Sequence, residues 1–142
     1  MRLVLPLLAV LTACGAPSRW IVSTEAAPQA IGPYSQAVDD GTHVWCAGQI
    51  GLDPATGRLV DGGIEAETER ALRNLEAILG AAGLKMSDVV KTTVYVIDLS
   101  EFGKMNAIYG RSFPSNPPAR ATVQVAALPK GARVEIEAVA RR

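Results

Sequence analysis

PPARATVQVAALPKGARVEIEAVARR, residues 117 to 142, decides the fold class. β-Branched and small apolar residues alternate on both sides of Pro129-Lys130-Gly131, a run of turn residues, so the stretch predicts two strands joined as a hairpin. Strand side chains alternate with period two. Ala121, Val123 and Val125 are therefore expected on the core face of the first strand, with Arg120, Thr122 and Gln124 on the other. On the second strand Val134, Ile136 and Ala138 oppose Arg133, Glu135 and Glu137.

Arg120 and Glu135 are the candidate functional pair. If the turn pairs Leu128 with Arg133, then Ala126 faces Glu135 and Gln124 faces Glu137. Arg120 and Glu135 are then about six residues apart along the ribbon, roughly 20 Å at strand rise. They cannot touch within a regular hairpin. Either a bulge bends the ribbon or the two meet across a subunit boundary; the bland alternative is a pair of solvated surface charges.

Upstream of this stretch, Val89 to Ile97 (VVKTTVYVI) is β-branched and predicts a central strand. Asp98 with Glu101 three residues on resembles a capping box opening a helix with Phe102, Met105, Tyr109 and Phe113 inward and Asn106 beside that stripe. The prolines of FPSNPP end that helix in a loop. An earlier helix is clearer still: Ile64, Thr68, Ala71, Leu72, Leu75, Ile78, Leu79 and Ala82 recur at three and four residues. Glu69 and Arg73 form an i,i+4 pair off that stripe, and Gly83 suits the stop. Before it, Tyr34 to Val38 and His43 to Ile50 read as a strand pair around Asp39-Asp40-Gly41, Trp20 to Val22 as a short strand, and residues 24 to 33 as loop. The order of elements predicts an α+β domain, two helices on one face of a mixed sheet. The other face, expected to carry Arg120, Thr122, Glu135 and Glu137, has no cover of its own and invites a partner subunit.

Met1-Arg2, the apolar run Leu3 to Val10 and Leu11-Thr12-Ala13-Cys14 make a secretory signal pattern, too short to span a bilayer as a helix. The tetrapeptide resembles the lipobox of bacterial lipoproteins, in which the cysteine becomes the lipid-modified first residue. The expected organisation is a signal peptide over 1–14, a linker over 15–19 and one domain over 20–142. The expected location is the periplasmic side of a bacterial membrane, with the lipid as the only membrane contact. Cys46 is then the remaining thiol, expected as a buried small hydrophobe. One histidine and no Cys/His cluster leave no metal site to propose. Charge is balanced, 14 basic against 14 acidic residues, which argues against nucleic acid as a partner.

AIGPYSQAV (30–38), CAGQIGLDPATG (46–57), AAGLKMSDVVKTTVYVID (81–98), NPPAR (116–120) and LPKGARVEIEAVA (128–140) together resemble the RidA (YjgF) family of reactive-intermediate deaminases. The resemblance runs in order from about residue 20 to 142. It implies a chorismate-mutase-like α+β fold, a homotrimer with sites in the clefts between subunits, and cofactor-free hydrolysis of 2-imino acids, tautomers of 2-enamino acids, to 2-oxo acids and ammonia. Carried over by position, the carboxylate-binding arginine falls on Arg120, the water-holding glutamate on Glu135, the site tyrosine on Tyr34, the pocket-lining backbone on Gly48, and the nearby helix residue on Asn106. Two positions depart: Ala47 stands where serine is usual, and Thr122, expected to contribute backbone to substrate binding, where cysteine is usual. The chemistry asks the protein to hold a carboxylate, place one water and move protons. Arginine suits the first task through its bidentate fork. The runner-up is a non-catalytic envelope protein binding small carboxylates in the same clefts. A third reading, ribonuclease or translation inhibitor, has been attached to family members, and the balanced charge counts against it.

Overall fold

The computed structural model describes residues 19–142, so the expected signal segment with Leu11 to Cys14 lies outside the described residues. Six strands, β1 (Trp20–Val22), β2 (Ala37–Asp39), β3 (His43–Ile50), β4 (Val89–Val96), β5 (Ala119–Gln124) and β6 (Val134–Arg141), form one sheet in the order β1-β2-β3-β6-β4-β5. Every neighbouring pair is antiparallel except β4 and β5, which run parallel. The two helices are α1 (Gly63–Ala81) and α2 (Phe102–Ser112). This is the expected α+β mixed sheet.

One apolar cluster joins both helices to one face of the sheet: Leu72, Leu75, Ile78 and Leu79 of α1 and Met105 and Tyr109 of α2 meet Val94, Val96, Val134, Ile136 and Ala138. The helical stripe read from the sequence is buried along its whole length, and Glu69 pairs with Arg73 at 2.6 Å on the outer side. Burying each large aliphatic side chain contributes about 1.5–3 kcal/mol. Truncating fully buried Leu75 to alanine should cost about 2–5 kcal/mol.

The hairpin expected over 117–142 does not form. Both strands exist, but β4 lies between them, paired to β5 on one side and β6 on the other. The connecting segment passes over the end of β4: the Val125 N–H donates to Val96 O at 2.9 Å, and the Ile97 N–H to Arg133 O at 3.2 Å. A period-two pattern specifies the faces of a strand and leaves its neighbours open. The faces of β5 are also inverted. Thr92, Val94 and Val96, buried under the helices, are level with Arg120, Thr122 and Gln124, so these three point to the helix side while Ala121 and Val123 point away and are exposed. β6 keeps its expected faces, with Val134, Ile136 and Ala138 in the core.

Three smaller expectations are corrected. β2 starts at Ala37, not Tyr34, because the Gln36 side chain accepts the Thr24 N–H at 2.6 Å and donates to Thr24 O and Pro28 O at 3.0 and 2.8 Å, tying residues 34–36 to the loop. Only half of the capping box forms: Asp98 accepts the Ser100 N–H at 2.8 Å, while Glu101 pairs with Arg133 at 3.0 Å. Phe102, expected inward, is 37% exposed at the start of α2. Cys46 is buried as expected, and desolvation pushes its thiol up to about 12.

Candidate active site

The sequence-predicted site residues form two groups on opposite faces of the sheet. On the helix side Arg120 extends from β5 toward α2, where one of its amino groups donates to Asn106 Oδ1 at 2.8 Å. Its guanidinium carbon lies 4.5 Å from the ring centre of Tyr109 and 5.6 Å from that of Phe102, within cation–π range. Tyr109 is fixed in turn by the hydroxyl of buried Thr92 at 2.7 Å. The arginine is thus held by two rings and an amide, with further N–H groups of its planar fork left to bind a carboxylate. Thr122, two residues on, keeps its hydroxyl buried and without a hydrogen-bond partner.

On the other face a cavity of about 340 Å³ is lined by Pro28, Ile31, Tyr34, Gly48, Pro129 and Glu135. β3 bulges between Cys46 and Gln49, so Ala47 and Gly48 together occupy the place of one residue opposite β6. Bulges re-aim side chains beside functional sites. Here the bulge brings the Gly48 backbone under the Glu135 carboxylate, where an added Cβ would lie 1.9 Å from Oε1. Burial raises the Glu135 carboxyl above the usual glutamate range, and the like charge of Glu137 adds to the effect. Tyr34, half exposed at the cavity mouth, accepts the Ile31 N–H on its hydroxyl at 3.3 Å, which leaves the hydroxyl proton free to donate. Tyr95 is level with Glu135 on this same face.

The residues thus fall into Arg120, Asn106 and Thr122 on one side and Glu135, Gly48 and Tyr34 on the other. The expectation of one shared polar face is wrong, since of Arg120, Thr122, Glu135 and Glu137 only the two glutamates lie on the uncovered face. Arg120 is level, through Thr92, with Ala138, which is three residues from Glu135 and two strands across, about 14 Å between backbones at ordinary spacings. A bulge in β6 does not bring them together. The sequence reading missed Phe102 and Tyr109 as holders of Arg120, having assigned both to the core, and Gln36 as the residue that fixes the cavity wall. A buried glutamine beside a proline-rich loop carries no periodic signal. No group of three or more potential metal ligands occurs among the described residues.

Solved structures share this architecture. The YjgF gene product of E. coli superposes with a TM-score of 0.82 at 44% identity, covering 87% of this chain and 98% of that one. E. coli TdcF, solved with bound serine, superposes with a TM-score of 0.83 at 42% identity over 87% of this chain and 98% of its own. The human protein named 2-iminobutanoate/2-iminopropanoate deaminase is 55% identical over 122 residues, 86% of this chain and 89% of the human one. Fold and site define a chorismate-mutase-like α+β protein of the RidA type. The family profile described as Endoribonuclease L-PSP matches residues 24–142, and the chain belongs to that family.

Proposed function

We propose that this chain hydrolyses 2-imino acids, and the 2-enamino acids that tautomerise to them, to 2-oxo acids and ammonia without a cofactor, in clefts between the subunits of a homotrimer. The observation that carries the reading is the division of the candidate residues between two faces of one sheet: each subunit offers a carboxylate-binding half and a water-placing half that its own chain does not join. Arg120 and Asn106 of one subunit hold the substrate carboxylate, with the backbone at Thr122 beside it. Glu135 of a neighbour places the water. The protonated imine carbon is already electrophilic. Glu135 takes a proton as the water oxygen bonds to that carbon and the C=N π pair moves onto the nitrogen, which Tyr34 hydrogen-bonds. Glu135 returns that proton to the nitrogen, the C–N bond breaks to release ammonia, and the hydroxyl proton passes to Glu135 as the 2-oxo group forms.

Relatives named 2-iminobutanoate/2-iminopropanoate deaminase support the reaction. The serine bound to TdcF supports a ligand of amino-acid size bearing a carboxylate. Balanced charge favours a small molecule over the nucleic acid that the family's endoribonuclease description names. The proposal includes export, with Cys14 carrying the lipid that anchors the domain on the periplasmic side of a bacterial membrane.

The reaction is tested by generating imines with an amino-acid oxidase and trapping them with semicarbazide. The protein should suppress semicarbazone formation and speed ammonia release. Undiminished semicarbazone across a range of amino acids rejects the enzyme and leaves the carboxylate-binding reading.

A further inference from the structure

Besides Thr68, whose hydroxyl bonds within the helix to Ile64 O, α1 carries two polar side chains buried beneath the sheet, Glu67 at 5% exposure and Asn74 at 0%, two helical turns apart. Neither belongs to the catalytic groups described above. Asn74 Nδ2 donates to Leu52 O at 2.9 Å and to Ile50 O at 3.3 Å. Glu67 Oε2 accepts the Arg133 N–H at 2.8 Å. The helix therefore grips the end of β3 and the start of β6, and these are the strand ends on which Glu135 sits: Ile50 is the cross-strand partner of Glu135, and Arg133 precedes it by two residues.

A buried carboxylate is an expensive way to fill space, since an apolar side chain of similar volume costs no desolvation. Its use here is specific. Arg133 O is taken by the Ile97 N–H, and the Arg133 guanidinium pairs with Glu101. The Arg133 N–H, left over as β6 begins, takes the Glu67 carboxylate as its acceptor. At Glu67 the approach to the residue just past β3 is set by shape: a Cβ added to Gly51 would lie 2.7 Å from the Glu67 Cα, so only glycine lets the helix come this close. We propose that Glu67 is a positioning residue for the reaction, fixing the height of β6 against β3 so that Glu135 stands over Gly48 and not into open cleft. The proposal rests on the deaminase reading given above.

The experiment compares Glu67→Gln, which keeps an oxygen acceptor and the volume, with Glu67→Met, which keeps the volume alone. Leu79→Ala, in the core away from the cavity, serves as a control for lost stability. Expected for Glu67→Met is a fall in kcat of at least tenfold with KM within about twofold, because the carboxylate-binding half of the site is untouched. Glu67→Gln should retain more than half of wild-type kcat. Amide hydrogen exchange on the whole protein should show faster exchange over residues 133–136 in Glu67→Met and wild-type protection there in Glu67→Gln. The inference is overturned by unchanged kcat in Glu67→Met, by an equal kcat loss in Leu79→Ala at matched thermal stability, or by Glu67→Gln falling with Glu67→Met. If wild-type protein turns over no imine, the deaminase reading fails on its own. The exchange measurement then still decides: unchanged exchange at 133–136 in Glu67→Met ends the positioning role as well.

Discussion

Arg120 and Glu135 sit on opposite faces of one sheet, with β4 between the strands that carry them. A site using both must draw them from two chains. Mixing inactive Arg120→Ala with inactive Glu135→Ala protein should therefore restore activity once subunits exchange, because in the proposed trimer a hybrid would contain clefts with both residues intact. For random exchange of equal amounts, about a quarter of clefts pair two wild-type halves. Native mass spectrometry establishes that hybrids have formed. Hybrids without any recovered turnover exclude the shared site.

Arg120→Lys keeps the charge and loses the fork. Turnover at low substrate should fall at least tenfold, which matches the loss of one charge-assisted hydrogen bond of about 1.5–3 kcal/mol. Lysine also replaces the guanidinium that lies 4.5 Å from the Tyr109 ring centre with a point charge that cannot bond Asn106 and a carboxylate through one rigid fork. Steady-state kinetics should place most of the loss in KM if binding of the carboxylate is uniform through the reaction. A variant with wild-type kcat/KM removes Arg120 from the site.

Periodicity reported burial correctly in three elements, the α1 stripe, β4 and the inward face of β6, and wrongly in β5. The neighbours of β5 were not legible, because alternation fixes a face and is silent on which strand lies beside it. The inverted faces of β5 have a physical cause too. It is an edge strand whose outward residues, Ala121 and Val123, are the apolar ones, while Arg120 is held inward by aromatic rings and an amide. Arg120 and Glu135 stood out as charges on the alternating strands themselves, while their separate roles, and Tyr34 and Gly48 altogether, came only through the family resemblance; the bulge that puts Gly48 beneath Glu135 comes from strand pairing.

Cys14→Ser tests the export proposal. The variant should lose the lipid and leave the membrane fraction while keeping deaminase activity, since residues 19–142 contain the whole fold described. Intact mass spectrometry checks both proteins. An unprocessed Met1 on cytosolic wild-type protein would falsify the anchor.

Glu135 should give the pH–rate profile its acid limb. The carboxylate form accepts the water proton, so kcat/KM rises with pH through the Glu135 pKa, which burial and Glu137 hold above the usual glutamate range. Removing the like charge with Glu137→Gln lowers that pKa and should move the limb to lower pH. The same shift appears in stability. Folded protein keeps the Glu135 proton to higher pH than unfolded protein, so stability is lost as pH climbs from the ordinary glutamate range through the raised value. Glu135→Gln lacks this loss and should gain on wild type in thermal stability above that window, with the difference narrowing below it. A limb that stays in place in Glu137→Gln shows that another group sets it.

Gly48→Ala makes the most local prediction. The added Cβ would sit 1.9 Å from Glu135 Oε1 and 2.8 Å from its carboxyl carbon, closer than atoms can approach. The backbone at the bulge is held by the Ala47 N–H donating to Gln36 O at 2.9 Å, so the side chain of Glu135 gives way before the strand does. Glu135 then swings out of its place over the cavity floor. kcat should drop by at least tenfold while KM changes little, because Arg120 and Asn106, on the opposite face, still bind the carboxylate. The fold should survive, since the three atoms nearest the new methyl group all belong to the Glu135 side chain, which is no part of the main core. Combining Gly48→Ala with Glu135→Gln should cost little more than Glu135→Gln alone, because both changes disable one group. Fully additive losses in that double mutant would show that Gly48 acts on the reaction by a route other than Glu135.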